Sequence, residues 1–425
     1  METPTQTLHR LTSYTPGHRW DQPADPRVVQ GLQANDMDRF PWFFKRYPQG
    51  LPRQALPVGL PPTTAPALAV LAGTADVAPG RLDLAQLSRL LYLSAGVVRI
   101  SPRPFGNWLF RAAGSAGGRF PLELYVAVPQ GGPLAAGVHW YDPLDHALVT
   151  TGPPPRGGAP AIVVTGVPWR TGWRYRERGY RHMYWDAGTM LAQMLALADS
   201  AGLAAAPYLG FPDVPVAALV GADRVHEVPV AVVSLGEGEP ALEAAGPAAE
   251  GRTDRAPLEF PLITAAQQAG ERDSLGLPLG RGAVADVPLL TSPPVEEVIA
   301  KRGSARRMDS GRGLPEGLLR TCLGVAVRGI GVPHRVVVHD VAGLVPGCTA
   351  GRTSPPPRGP AGYGPSCAGC ASARPCRTTP RSWSSRRLGW TGWTTGSTAP
   401  RNWRPALPRG GCTWPPTHWV PARRG

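Results

Sequence analysis

The chain has 425 residues, including 52 Gly and 51 Pro, and a formal charge of +14, long enough for one large or two ordinary domains. Residues 1–347 carry 32 Lys+Arg against 30 Asp+Glu, whereas residues 348–425 carry 12 Arg and no Lys, Asp or Glu. That near-neutral first part gives no electrostatic footprint for nucleic acid, and with no run of 18 apolar residues and a polar Met1–Thr12 the chain argues against a membrane span and a secretory signal. Cys322, the one cysteine before residue 348, fits a reducing cytoplasm and excludes a disulfide scaffold.

Residues 1–65 are Pro-rich and weakly periodic, which predicts an irregular arm lying on a core. The first clear helix is Leu84–Ala95: Asp83 and Gln86 stand as N-cap and N3, Leu84, Leu87 and Leu91 share a face, and Gly96 stops it. Strands are expected at Leu122–Val128, Val138–Tyr141 and Ala161–Val167, with Pro/Gly turns between them. A long Ala/Leu/Met helix follows over Met183–Ser200, ended by Gly202, and Glu227–Leu235 reads as the strand closing the unit at residues 66–236. Gly236–Pro257 is acidic and Ala/Gly-rich, so residues 237–288 read as a linker.

A second unit, residues 289–347, offers helices at Val295–Lys301 and Pro315–Val327 and a strand at Arg335–His339. Val341-Ala-Gly-Leu-Val-Pro-Gly347 echoes Gly132-Pro-Leu-Ala-Ala-Gly137, which predicts a tandem repeat whose second copy is incomplete. Residues 348–425 hold almost no large aliphatics and are expected to be disordered. Reading the last base of each codon with the first two of the next restores ordinary protein there. Thr413-Trp414-Pro415 then forces Ala, His418-Trp419-Val420 forces Leu and Gly, and Trp390-Thr391 and Trp393-Thr394 each force Asp. An out-of-frame tail therefore explains the arginines, the tryptophans and the cysteine cluster Cys367, Cys370, Cys376 and Cys412 without a basic arm or a zinc site.

Four segments could carry chemistry. Arg111-Ala-Ala-Gly-Ser-Ala-Gly-Gly-Arg119 is a Gly-rich loop whose backbone could approach a flat or phosphorylated ligand, or simply a turn before a strand. Trp173-Arg-Tyr-Arg-Glu-Arg-Gly-Tyr-Arg181 is either a solvated start to a helix, the reading composition favours, or an anion-binding rim. Tyr208-Leu-Gly-Phe-Pro-Asp213 could lay backbone against a ring, or lead into a helix capped by Asp213. Arg302-Gly-Ser-Ala-Arg306-Arg307 could converge on a phosphate dianion, or be an exposed basic loop. His139, His146, His226 and His339 lack partners at metal-ligand spacing, so no metal is expected.

In order along the chain, these pieces resemble the flavin-dependent nitroreductase superfamily, in its SagB/ThcOx-type azoline dehydrogenase branch. The stretches that carry the resemblance are His9-Arg-Leu-Thr-Ser-Tyr14, Phe44-Lys-Arg-Tyr47, Leu84–Gly96, Gly114–Tyr125, Gly137–Pro143, Tyr175–Arg181, Asp186-Ala-Gly188, Gly202-Leu-Ala and Gly210-Phe211. The resemblance implies an α+β fold, an antiparallel-dominated sheet flanked by helices, with FMN at the interface of two such domains. It implies that Arg302, Ser304 and Arg306 grip the FMN phosphate, and that Ser115, Ala116 and Gly117, with Gly210 and Phe211, lie near the ring; Arg111, at the start of the same Gly-rich loop, is a further candidate for cofactor binding. Where the branch often has Lys-Tyr, this chain has Arg174-Tyr175. Arginine is not deprotonated in proteins, so Arg174 could orient an anion, and Tyr175 could relay a proton.

The expectation is thus a cytoplasmic FMN-dependent oxidoreductase that dehydrogenates azoline rings in a peptide or small-molecule substrate. A homodimer through the first domains is the expected assembly, without nucleic acid, membrane or metal. The alternatives are an NAD(P)H-dependent nitro or quinone reductase, and an inactive truncated product or scaffold without cofactor.

Overall fold

The computed structural model describes residues 2–13, 36–104, 106–288, 291–304, 309, 311–328 and 334–351. Its helices are α1 (Pro4–Leu11), α2 (Ala67–Ala72), α3 (Leu84–Ala95), α4 (Pro168–Tyr175), α5 (Gly179–Asp199), α6 (Asp213–Val220), α7 (Pro261–Gln268), α8 (Val295–Lys301) and α9 (Glu316–Val327). The strands are β1 (Arg53–Ala55), β2 (Val97–Arg103), β3 (Gly106–Arg111), β4 (Leu122–Val128), β5 (Gly137–Asp142), β6 (Ala147–Gly152), β7 (Ala161–Gly166), β8 (Ala205–Tyr208), β9 (Val228–Leu235), β10 (His334–Val338) and β11 (Gly347–Gly351). Seven of them form one sheet in the order β1-β6-β5-β4-β7-β9-β8, every neighbour antiparallel.

The central strands β4, β7 and β9 are buried along their whole length. Their near-continuous Val, Ile and Leu content suits a sheet covered on both faces. Leu124, Val126, Ile162 and Val164 point to the face packed by α3 and α5. Tyr125, Ala127, Val163 and Val232 point the other way, beneath α6. α3 begins as its sequence predicts, with the Asp83 side chain accepting a hydrogen bond from Gln86 N at 2.7 Å. Its end needs Gly96 for space, since a Cβ there would come within 2.9 Å of the Tyr141 hydroxyl and 2.6 Å of Tyr92 O.

Two expectations are corrected. Gly236–Pro257 is no spacer but a strap lying on the second sheet face. Ala241 and Leu242 are buried, and bridges tie Pro240 to Ala159, Glu243 to Arg156 and Arg252 to Arg46. The physical reason is that this face is apolar and must be covered, and an Ala/Gly-rich segment can lie close to it. Residues 1–65 are also not wholly irregular, because α1 starts with a capping box: Thr3 Oγ1 accepts from Gln6 N at 3.2 Å while Thr3 N donates to Gln6 Oε1 at 2.9 Å. Leu8 of α1 packs with Trp169, Trp173 and Ile263 in a third apolar cluster.

The helix expected to open the second unit is built into the first. Val295 and Ile299 of α8 belong to the same core cluster as α3 and α5. Arg89 of α3 is fully buried and ion-pairs with Glu296, its Nε donating at 2.7 Å. The rest of its guanidinium goes to Leu197 O and Ser200 Oγ, each at 2.7 Å, so each of its three nitrogens has a partner. Beyond α9, β10 and β11 pair antiparallel with Val338 opposite Gly347. The expected disordered tail lies outside the described residues from position 352 onward. Among the described residues, no helix is long and apolar enough to cross a membrane.

Candidate functional site

The turn between β3 and β4 is held by one carboxylate. Asp186 of α5 accepts from Ser115 Oγ at 2.6 Å and from Ala116 N at 3.0 Å. Ser115 Oγ in turn accepts from Phe120 N at 2.8 Å, so its single hydrogen and a lone pair are both committed inside the turn. Gly117 has φ +61°, and a Cβ on it would lie 2.7 Å from the Tyr175 hydroxyl and 3.1 Å from Arg174 Cδ. A side chain is excluded there twice, by backbone conformation and by space. α4 thus delivers Arg174 and Tyr175 directly against the turn.

Arg302, just past α8, completes the convergence. Its Nη2 donates to Ala112 O at 3.2 Å, and its guanidinium nitrogens lie 3.8 and 3.9 Å from where a Gly114 Cβ would be. Arg302 and Ser304 are exposed, and Arg306 lies outside the described residues. Arg111 is elsewhere engaged: it is buried, and its Nη2 donates to Phe43 O at 3.2 Å. Burial pushes its guanidinium down to about 10. Gly210 and Phe211 are not brought to the turn. Phe211 is buried in the cluster on the sheet face opposite α5, and Gly210 packs against the Arg272 side chain.

The anion rim over Trp173–Arg181 resolves differently from its sharper reading. Arg178 donates to Thr12 O, and Arg181 donates to Thr12 Oγ1 at 2.9 Å and His9 O at 2.7 Å. Both arginines therefore cap the C-terminal end of α1, where the helix dipole favours positive charge. The histidines serve the fold: His139 bonds Thr150, His146 bonds Tyr141 and Ser88, and His226 bonds Asp223.

Sequence reasoning gave several residues of the site no role. Asp186 occupies the buried stripe of α5 with Met183, Met190 and Met194, and a carboxylate on an otherwise apolar stripe is the signal that could have found it. Burial raises it from 3.8 to about 6, against the opposing pull of the Ser115 and Ala116 hydrogen bonds. Arg119 is buried among Phe40, Phe43 and Trp173, 4.6–5.0 Å from their ring centroids, and burial with repulsion from Arg174 brings it down to about 9. His182 packs at a tilt against Tyr175 with ring centroids 4.1 Å apart, and burial followed by Arg178 and Arg181 lowers it to about 4. Two non-glycine residues with positive φ flank the site, Phe120 at +48° after the turn and Arg176 at +50° after Tyr175. Such backbone is sparsely populated and costs roughly 1–3 kcal/mol per residue.

The matches to known proteins agree with this architecture. Residues 147–237, from β6 to just past β9, match the nitroreductase family. That segment contains Arg174, Tyr175 and Asp186 but neither the Ser115 turn nor Arg302. No curated protein matches the chain. A crystal structure described as a nitroreductase from Anabaena variabilis is 21% identical, covers 82% of this chain and 77% of its own, and superposes with a TM-score of 0.57. A nitroreductase structure from Ralstonia eutropha (22% identity, 46% of this chain, 95% of that one, TM-score 0.37) and an E. coli microcin synthetase complex with truncated pro-MccB17 bound (22%, 38% and 65%, 0.31) are more distant. The fold is nitroreductase-like: a mixed α+β architecture of helices around an antiparallel sheet.

Proposed function

We propose that the chain is an FMN-dependent oxidoreductase whose cofactor lies on the Ser115–Gly117 turn, with Arg302 at the phosphate. The observation that carries this reading is convergence: Ser115–Gly117, Arg174–Tyr175 and Arg302 come from three distant parts of the chain and meet at one turn. The donors suit an anionic, flat group in kind. Arg302 offers an exposed guanidinium for phosphate, and the glycine turn permits close backbone approach. The half-open pocket beside Ser115 and Asp186 has about 20 Å³ of free space, room for one water, so the reading places the ring on the outer side of the turn.

FMN, when bound, supplies hydride chemistry, and the protein supplies position and electrostatics. Burial holds the Tyr175 hydroxyl above its ordinary range despite the adjacent Arg174, so at neutral pH it carries its proton and can donate it or a hydrogen bond. Arg174 orients an anionic or polarised substrate group. Following the resemblance, the substrate is an azoline ring in a peptide or a related small molecule, and two chains pair through their first domains.

Titration of the full chain with FMN tests the reading. Flavin fluorescence should quench on saturation, and Arg302→Ala should weaken binding by about ten-fold, the worth of one charge-assisted contact. A colourless protein that leaves flavin fluorescence unchanged rejects it.

A further inference from the structure

Asp186 is a buried carboxylate with no cation partner among the described residues. Its two oxygens take one hydrogen bond each from consecutive residues of the turn, Ser115 Oγ and Ala116 N. Among the described residues it makes no ion pair, although arginines surround it. From β3, Arg111 lines the same cavity but donates to Phe43 O and Leu122 O. From α4, Tyr175 and Arg174 stand beyond Gly117 with Arg119 beside them. His182 lies one turn earlier on α5, Arg302 donates to Ala112 O, and α3 contributes the uncharged Ser94 and Ala95.

We propose that Asp186 is the positioning residue of this turn, a two-point clamp whose ionised form fixes Ser115 and Ala116 for the bound ligand. The clamp rests on the reading of the turn as the cofactor site. It assigns Ser115 a role different from direct contact, because its only hydrogen goes to Asp186 and it has none to give a ligand. The carboxylate accepts both donors at once, which is the arrangement in the structure. Protonated, the same group must itself donate from one oxygen, and the bond to Ser115 has to reverse. Its titration near 6 puts that change just below neutral pH. An asparagine at 186 has one accepting oxygen and one donating nitrogen, so Asp186→Asn imitates the protonated clamp at every pH.

Two readouts on the full chain separate the clamp from the cofactor reading. In the apo protein, hydrogen exchange at the Ala116 and Phe120 amides should show protection that falls about ten-fold as pH drops through 6, the scale of one charge-assisted hydrogen bond. Asp186→Asn should show the low value throughout, while its melting temperature at pH 7 stays level or rises, because a buried charge has been removed. A merely structural hydrogen bond would lower both together. FMN affinity should follow the same pH step in wild type and be flat in Asp186→Asn. Ser115→Ala, which removes one donor to the carboxylate, should move the exchange step at Ala116 to higher pH. Protection that is equal in wild type and Asp186→Asn at pH 7, or a pH step that survives in Asp186→Asn, overturns the clamp. Exchange as expected with no FMN uptake at any pH upholds the clamp and rejects the cofactor reading.

Discussion

Glu123 and Asp186 are both buried carboxylates packed near the same turn, yet their surroundings drive them in opposite directions. Glu123 on β4 meets Arg170 Nη2 at 2.5 Å and also accepts from Trp140 Nε1 at 2.8 Å and Lys45 N at 3.1 Å. The Arg170 and Arg111 charges hold it below the usual carboxylate range in spite of burial. Among the described residues Asp186 has two hydrogen bonds and no cation partner, and burial wins. A buried acid with its charge matched ties segments together. One left unmatched sits within reach of a proton, which is where chemistry and control arise.

The largest effect should come from breaking the matched site. Arg170→Leu leaves Glu123 without its nearest cation, and urea unfolding should show a loss of about 3–5 kcal/mol, enough to threaten the fold. Asp186→Asn should act with the opposite sign. Because the carboxyl is raised from 3.8 to about 6 in the folded chain, its stabilising contribution is complete below 3.8 and is lost as pH rises through 6. Wild type should therefore weaken between pH 4 and 6.5 relative to the Asn variant. In paired urea melts the loss should reach about 1.4 kcal/mol for every tenfold difference in proton affinity between the folded and unfolded chain. If both substitutions destabilise alike at pH 7, the contrast between the two acids fails.

Smaller effects sharpen the picture around them. Arg181→Ala removes contacts to the end of α1 and should cost about 1 kcal/mol, read as faster amide exchange in residues 4–11 with little change elsewhere. Arg176→Gly relieves the +50° backbone and should stabilise the chain by roughly 1 kcal/mol. Since Arg176 follows Tyr175, the gain in melting temperature should come with weaker ligand binding at the turn.

Regular elements were legible where periodicity was long. The capped Leu84–Ala95 helix and the Ala/Leu/Met run of α5 state their faces in sequence, and β4, β7 and β9 show as apolar strands between Pro/Gly turns. Short elements were not: α1 was hidden in a Pro-rich stretch, and the strap at 236–257 looks like a linker because its burial depends on a sheet face formed by other segments. The site was half legible for the same reason. Glycine and arginine motifs pointed to the turn, to Arg174–Tyr175 and to Arg302, which the structure brings together. Gly210-Phe211 carries an equally suggestive pattern, but Phe211 spends its ring in the opposite core layer. Arg178 and Arg181 resembled an anion rim because the carbonyls they cap belong to a helix distant in sequence.

The Arg89–Glu296 pair also fixes where this polypeptide can be divided. Cutting before α8, at the expected linker boundary near residue 288, would strip Val295 and Ile299 from the core and leave the buried Arg89 facing an apolar hole with its carboxylate gone. The smallest piece able to stand alone must therefore reach past Lys301, and it carries Arg302 with it. Trimming the troublesome end of the chain is feasible only downstream of that point.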